Sequence, residues 1–275
     1  MTQLETKDDG GLVGPWRTPV NISADAEGSI HNDETAQELG LEGGWIAGSI
    51  HMEQFAPLMA QTFGADWLRS GTLSFYFRKA TLSGEAVRCF AEPPNADTGF
   101  SNLRMENKAG DLISEGVAFV GEPRETTPLR QRLASSPQSD AIKILKDIKV
   151  GASAKDVPAR IEKDRFDRDL PGVTEQLPEY AEHGALPPNL SIDALATVQK
   201  VMAPLPEGAV GLYGGIELQM VDGPILAATN YLASGKVLAM GKTPRTETIW
   251  FESELTRPSD RSVVARMLML SRVMA

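Results

Sequence analysis

The chain has 275 residues, 41% of them apolar, enough for one large or two ordinary domains with a true core. Its formal net charge of −10 argues against nucleic acid or an anionic membrane as a bulk electrostatic partner, so an anionic ligand would need a local basic patch. The single cysteine, Cys89, excludes an intrachain disulfide and a cysteine-built zinc cluster, and fits a reducing, cytoplasmic setting.

The polar, acidic start, residues 1–11, has neither the apolar centre of a secretory signal nor the basic amphipathic character of a transit peptide. No stretch reaches the ~18 apolar residues that cross a bilayer, and a soluble protein is expected. Asn32, Asp33 and Glu34 supply N-cap chemistry ahead of Ala36 and Leu39, with Gly40 as the C-cap of a short helix. Ile50, Phe55, Leu58, Met59, Phe63 and Trp67 predict a longer, largely buried helix over residues 49–68, bent at Pro57. Strands follow at 72–78, 85–92, 99–107 and 112–120, separated by Ser83-Gly84, by Pro93-Pro94-Asn95 and by the turn at 108–111. The order points to an antiparallel sheet wrapped around one helix.

A Pro-, Ser- and Arg-rich stretch, residues 122–141, reads as a linker. Beyond it, 142–161 supplies either a strand or a helix, and the charged, Pro-containing stretch 162–188 is expected to run over the surface. A helix opens at Ser191 to Asp193, with Asp193 read as a capping group, and closes before Pro204 and Pro206. Strands are predicted at 209–221, 225–242, 246–255 and 262–274, with Glu247 as an outward residue of the third. Leu82 to Val87 recurs in outline as Ala233 to Val237, and both halves read helix first, meander second. This favours duplication over a single mixed α+β domain.

The segment Gly28-Ser29-Ile30-His31-Asn32-Asp33, then Gly43-Gly44 and Ile46-Ala47-Gly48-Ser49, resembles the hydratase segment of MaoC-like proteins. Residues 73–78 and 82–87 resemble the strand pair that follows it, so the likeness covers about residues 21–120. The resemblance implies an α+β double-hotdog fold with two repeats, each an antiparallel sheet around a central helix. The boundaries drawn on it are an N-terminal repeat at 12–124, a linker at 125–141 and a C-terminal repeat at 142–275. It also implies hydratase or dehydratase chemistry on an acyl thioester, such as an enoyl-CoA, with coenzyme A as part of the substrate and no separate cofactor. One position departs from the pattern: the family's acidic residue five places before the histidine is Ala26 here, with Asp25 adjacent.

Hydration of a 2-enoyl thioester needs a base to activate water, an acid to protonate C2, and donors for the thioester oxygen. His31 is the candidate acid/base, its unperturbed pKa lying near neutrality. Asp25 is its candidate catalytic partner, ahead of Glu27 and Asp33. Gly48 and Ser49 would offer backbone N–H groups to the substrate, with His51 beside them. Lone His183 reads as structural or solvent-facing. Arg78, Lys79, Arg88 and Arg104 would suit coenzyme A phosphates, although strand alternation places such charges on a solvated face. Gly211-Leu212-Tyr213-Gly214-Gly215 lacks the spacing of a phosphate loop and reads as a closely approached strand. No metal-ligand spacing or nucleophile elbow is present.

Three other readings stay open: an acyl-CoA thioesterase, a non-catalytic protein binding a small hydrophobic ligand, and an isomerase or lyase without coenzyme A. A small-molecule acyl thioester or hydrophobic substrate is the expected partner, without nucleic acid or membrane, in a monomer or homodimer.

Overall fold

Alternating burial is the local signature of the strands. Val87, Cys89 and Ala91 point inward along β4 (Val87–Ala91), as do Ser101, Leu103, Met105 and Asn107 along β5 (Ser101–Asn107). The computed structural model, which describes residues 3–24, 30–38, 42–122, 126–139 and 141–274, assembles these with β1 (Glu5–Thr6), β2 (Leu12–Val13), β3 (Gly71–Phe77), β6 (Leu112–Val120), β7 (Ser153–Ala159), β8 (Val210–Met220), β9 (Tyr231–Lys242), β10 (Glu247–Thr256) and β11 (Val263–Met274). They form an 11-stranded antiparallel sheet in the order β1-β2-β4-β5-β6-β3-β8-β11-β10-β9-β7. Apart from β1, the order is symmetric about the β3–β8 seam, where Ser74 pairs with Glu217 and Phe75 with Ile216. β2 matches β7 at the far edges. This is the α+β double-hotdog architecture.

The helices are α1 (Asp33–Glu38), α2 (Gly48–Glu53), α3 (Ala56–Phe63), α4 (Asp66–Ser70), α5 (Pro128–Ala134), α6 (Lys163–Asp169), α7 (Pro178–His183), α8 (Pro188–Ala196) and α9 (Gln199–Met202). The first repeat's central helix is α2 to α4, and the second's is α8 with α9. Facing residues from both repeats join a single apolar cluster that includes Met52, Phe55 and Phe75 on one side and Leu190, Ile192 and Leu195 on the other. The Phe55 and Phe75 rings lie 4.7 Å apart.

Four expectations are corrected. The helix predicted over 49–68 is three pieces. Pro57 falls in the first turn of α3, where its missing N–H costs nothing, so it starts a piece and does not bend one. The stretch 162–188 is not a surface run: it holds α6, a 3-10 turn at Leu170–Gly172 and α7, and it buries Phe166, Val173, Leu177 and Tyr180. Glu247 is buried, and its carboxylate accepts the backbone N–H groups of Lys143 at 2.6 Å and of Ile144 and Leu145 at 2.9 Å. Finally, 82–87 is a turn leading into β4 whereas 233–237 lies within β9, so the two stretches are not equivalent even though the repeats are. The linker stretch carries α5, capped by the Thr127 side chain accepting from the Arg130 N–H. Gly40 lies outside the described residues.

Candidate active site

The loop before α2 is tied down by short-range polar contacts. Asn32 caps α1 by accepting from the Thr35 N–H at 3.1 Å, and the Asn21 amide donates to the His31 carbonyl at 2.8 Å. Gly44 N–H donates to Asp33 Oδ1 at 2.6 Å. A Cβ at Gly44 would stand 2.4 Å from the His31 carbonyl oxygen, so only glycine lets the two backbones meet. Asp33 therefore anchors the loop.

These contacts orient His31. Its Nδ1 lies 2.6 Å from the Trp45 carbonyl oxygen, which can only accept, so Nδ1 carries the proton and Nε2 is the basic nitrogen. Burial lowers the pKa of the ring, partly opposed by the Trp45 hydrogen bond and by the nearby charge of Asp193. Asp25, Ala26 and Glu27 lie outside the described residues.

Asp193 is a carboxyl of the second repeat whose charge reaches His31. It is half-buried in the second turn of α8, not at its cap, because the helix begins at Pro188. Its neighbours Leu190, Ile192, Ala194 and Leu195 are all buried against the core. Burial raises its pKa, and the Arg165 ion pair works against that. The sequence signal for Asp193 was available: it is the only charged residue in α8, an otherwise uncharged and largely apolar helix.

His31 opens onto a cavity of about 960 Å³ bounded by Trp45, Ala47, Gly48, His51 and Phe77 on one side and by Leu212 and Tyr213 on the other. Gly48 is held to glycine by the Phe77 ring, 2.7 Å from where its Cβ would be. The N–H groups of Gly48 and Ser49 precede the first internal bonds of α2, which run from Ile50 and His51 to the Ala47 carbonyl. The Ser49 side chain faces the Tyr213 hydroxyl across the repeats. His51 is buried, with Nε2 2.8 Å from Thr81 Oγ1, and burial lowers its pKa to about 4.

Among the described residues no acidic side chain lines this cavity, Asp193 standing outside the lining, but Arg78, Lys79, Lys200, Arg245 and Arg272 do. Lys79 pairs with Asp111 at 2.5 Å and Arg78 with Glu115, whereas Lys200 and Arg245 have no ion pair among the described residues. Arg272 donates to the Tyr76 hydroxyl at 2.6 Å. Arg88 and Arg104 lie elsewhere, paired with Glu5 and Glu106. His183 is exposed at the end of α7. Gly215 sits in a closely approached strand, with Phe75 O 2.9 Å from its would-be Cβ.

No protein-family profile and no curated protein matches the chain. Solved structures do match over nearly its full length. One is described as a MaoC-domain dehydratase from Chloroflexus aurantiacus, 15% identical, with a TM-score of 0.60 and 100% and 95% of the two chains covered. A double-hotdog protein from Mycobacterium tuberculosis is 11% identical, with a TM-score of 0.59 over 99% and 96%. The dehydratase domain of PpsC from the same organism, solved in complex with C12:1-CoA, is 13% identical, with a TM-score of 0.58 over 99% and 98%. At these identities the likeness is one of fold.

Proposed function

We propose that the protein is a hydro-lyase that adds water to, or removes it from, the C2–C3 bond of an acyl thioester. What supports this reading is His31 on a cavity of about 960 Å³ together with the charge of Asp193 reaching it from the other repeat, in surroundings that lower one pKa and raise the other. In dehydration, His31 Nε2 takes the C2 proton, the C3–O bond breaks as C2=C3 forms, and the departing hydroxyl takes the proton of Asp193 to leave as water. Hydration is the reverse: the Asp193 carboxylate takes a proton from water as its oxygen adds to C3, and His31 returns a proton to C2. The N–H groups of Gly48 and Ser49 serve the thioester oxygen while charge builds on it.

The substrate's carrier is coenzyme A or a similar phosphate-bearing group. What supports this is the basic lining of the cavity in a chain of net charge −10, together with Lys200 and Arg245, which have no ion pair among the described residues. The test is incubation of the purified protein with crotonyl-CoA. Loss of enoyl absorbance without thiol release is expected; thiol release would move the reading to hydrolysis. His31→Ala and Asp193→Asn should each lower kcat by about 10²- to 10⁴-fold, the usual size of an acid/base contribution. Retention of full hydration activity by either variant would overturn the assignment.

A further inference from the structure

The stretch between β7 and α8 delivers to Asp193 one residue that the reaction scheme above does not use. Arg165, on α6, places Nη2 on Asp193 Oδ2 and Nε 3.3 Å from Asp169 Oδ2, while Arg168 Nε holds the other Asp169 oxygen at 2.9 Å. The guanidinium is thus clamped between two carboxylates. Asp193 Oδ1 has no hydrogen bond among the described residues.

Under the proposed reaction, the two working forms of the site hold the same number of protons. Dehydration starts with His31 neutral and Asp193 protonated; hydration starts with His31 protonated and Asp193 ionised. One proton is shared, and its position decides which direction the resting enzyme is ready for. We propose that Arg165 is a positioning residue that apportions this proton, drawing it from Asp193 towards His31 and so favouring the hydration-ready form.

The surrounding charges single out Arg165 for this role. Asp193 is faced by Asp169 and Arg165 from α6 and by Lys200 from α9, and its charge is felt by His31, by Glu53 of α2 and by Tyr213 of β8. Asp169 pushes the proton onto Asp193, as burial does. Lys200 opposes this only through space, from an exposed position. Among the described residues Arg165 alone makes a directed ion pair with Asp193, whose charge in turn reaches His31.

The inference rests on the hydro-lyase reading for its meaning but not for its test. In Arg165→Gln, the His31 ring followed by NMR, with His31→Gln as the assignment control, should titrate about one pH unit lower, because a protonated Asp193 no longer supports its charge. The acid limb of the pH–rate profile for crotonyl-CoA hydration should move the opposite way, by about one unit to higher pH, as Asp193 keeps its proton longer, while the alkaline limb follows His31 down. Arg165→Lys should recover most of both shifts, and Arg165→Met, which also removes the charge, serves if the glutamine variant does not fold. Simple loosening of α6 would not move the two readouts in opposite directions. An unchanged His31 midpoint in whichever charge-removing variant folds, or a shift in Arg165→Lys as large as theirs, overturns the inference. Absence of crotonyl-CoA turnover in the wild-type protein overturns the hydro-lyase reading and leaves the His31 titration to decide the role of Arg165.

Discussion

Two titratable side chains of α2 sit in dry surroundings outside the proposed chemistry, and they pull stability in opposite directions with pH. His51 has a pKa lowered to about 4, so below the ordinary histidine value of 6.5 the unfolded chain takes up a proton that the folded one refuses. Stability is gained as pH rises from about 4 to 6.5 and lost as it falls. Glu53 is 1% exposed, leaves Oε1 without a partner, and has a pKa raised well above 4.5 by burial, so the folded chain keeps a proton that the unfolded one releases. Its contribution is full below about 4.5 and is lost as pH rises towards its folded value. Glu53→Gln, which cannot ionise, should therefore melt at a higher temperature than wild type at pH 8, by about 2–4 °C per kcal/mol relieved, with the gap closing towards pH 4.5. His51→Gln should blunt the fall in melting temperature between pH 6.5 and 4. Scans across that range check both, and a constant gap would show that neither side chain behaves as its burial requires.

At the scale of elements, Glu247 shows what alternation along a strand conveys and where it stops. β10 pairs at Glu247 with Lys242 of β9 and Val273 of β11, and pattern alone put this carboxylate on the solvated face. The turn at 142–148 covers that face and turns three N–H groups towards it. Charge-assisted hydrogen bonds contribute about 1.5–3 kcal/mol each, but the three share one carboxylate, so Glu247→Ala should cost about 3–5 kcal/mol in urea unfolding and Glu247→Gln roughly half that. A cost near zero would mean that the turn is held by its apolar contacts alone. The strands were legible because burial with period two is a local property, and every predicted strand from 72 to 120 and from 209 to 274 overlaps an observed one. The stretch 162–188 was not, because Phe166, Val173, Leu177 and Tyr180 are spaced seven, four and three apart across two prolines and a glycine, a pattern without one period. The site divided in the same way. His31 was legible from its motif, whereas Asp193 looked like a cap because its true neighbours, Arg165 and His31, are 28 and 162 residues away.

For the molecule as a whole, the question is whether two repeats joined by a seam behave as two domains or one. At the seam, Glu217 of β8 is 3% exposed and gathers Ser74 Oγ at 3.0 Å from β3 and Thr127 Oγ1 and Arg130 Nε, at 2.7 Å for the latter, from the start of α5. One carboxylate thus ties the first repeat's strand and the inter-repeat helix to the second repeat. The apolar cluster crosses the same boundary, since Leu12 at one edge of the sheet and Val273 near the chain's end belong to it. Separating the repeats would expose the facing sides of both central helices and leave the Glu217 side chain without its donors, which costs more than an ordinary interdomain contact. Calorimetry should therefore record a single transition with van't Hoff and calorimetric enthalpies in agreement. Glu217→Leu, which removes the buried acceptor and its three donors' partner together, should lower the midpoint by several degrees. If the seam is what couples the repeats, that variant should also widen or split the transition. A lowered but still single, sharp transition would locate the coupling in the packed helices instead.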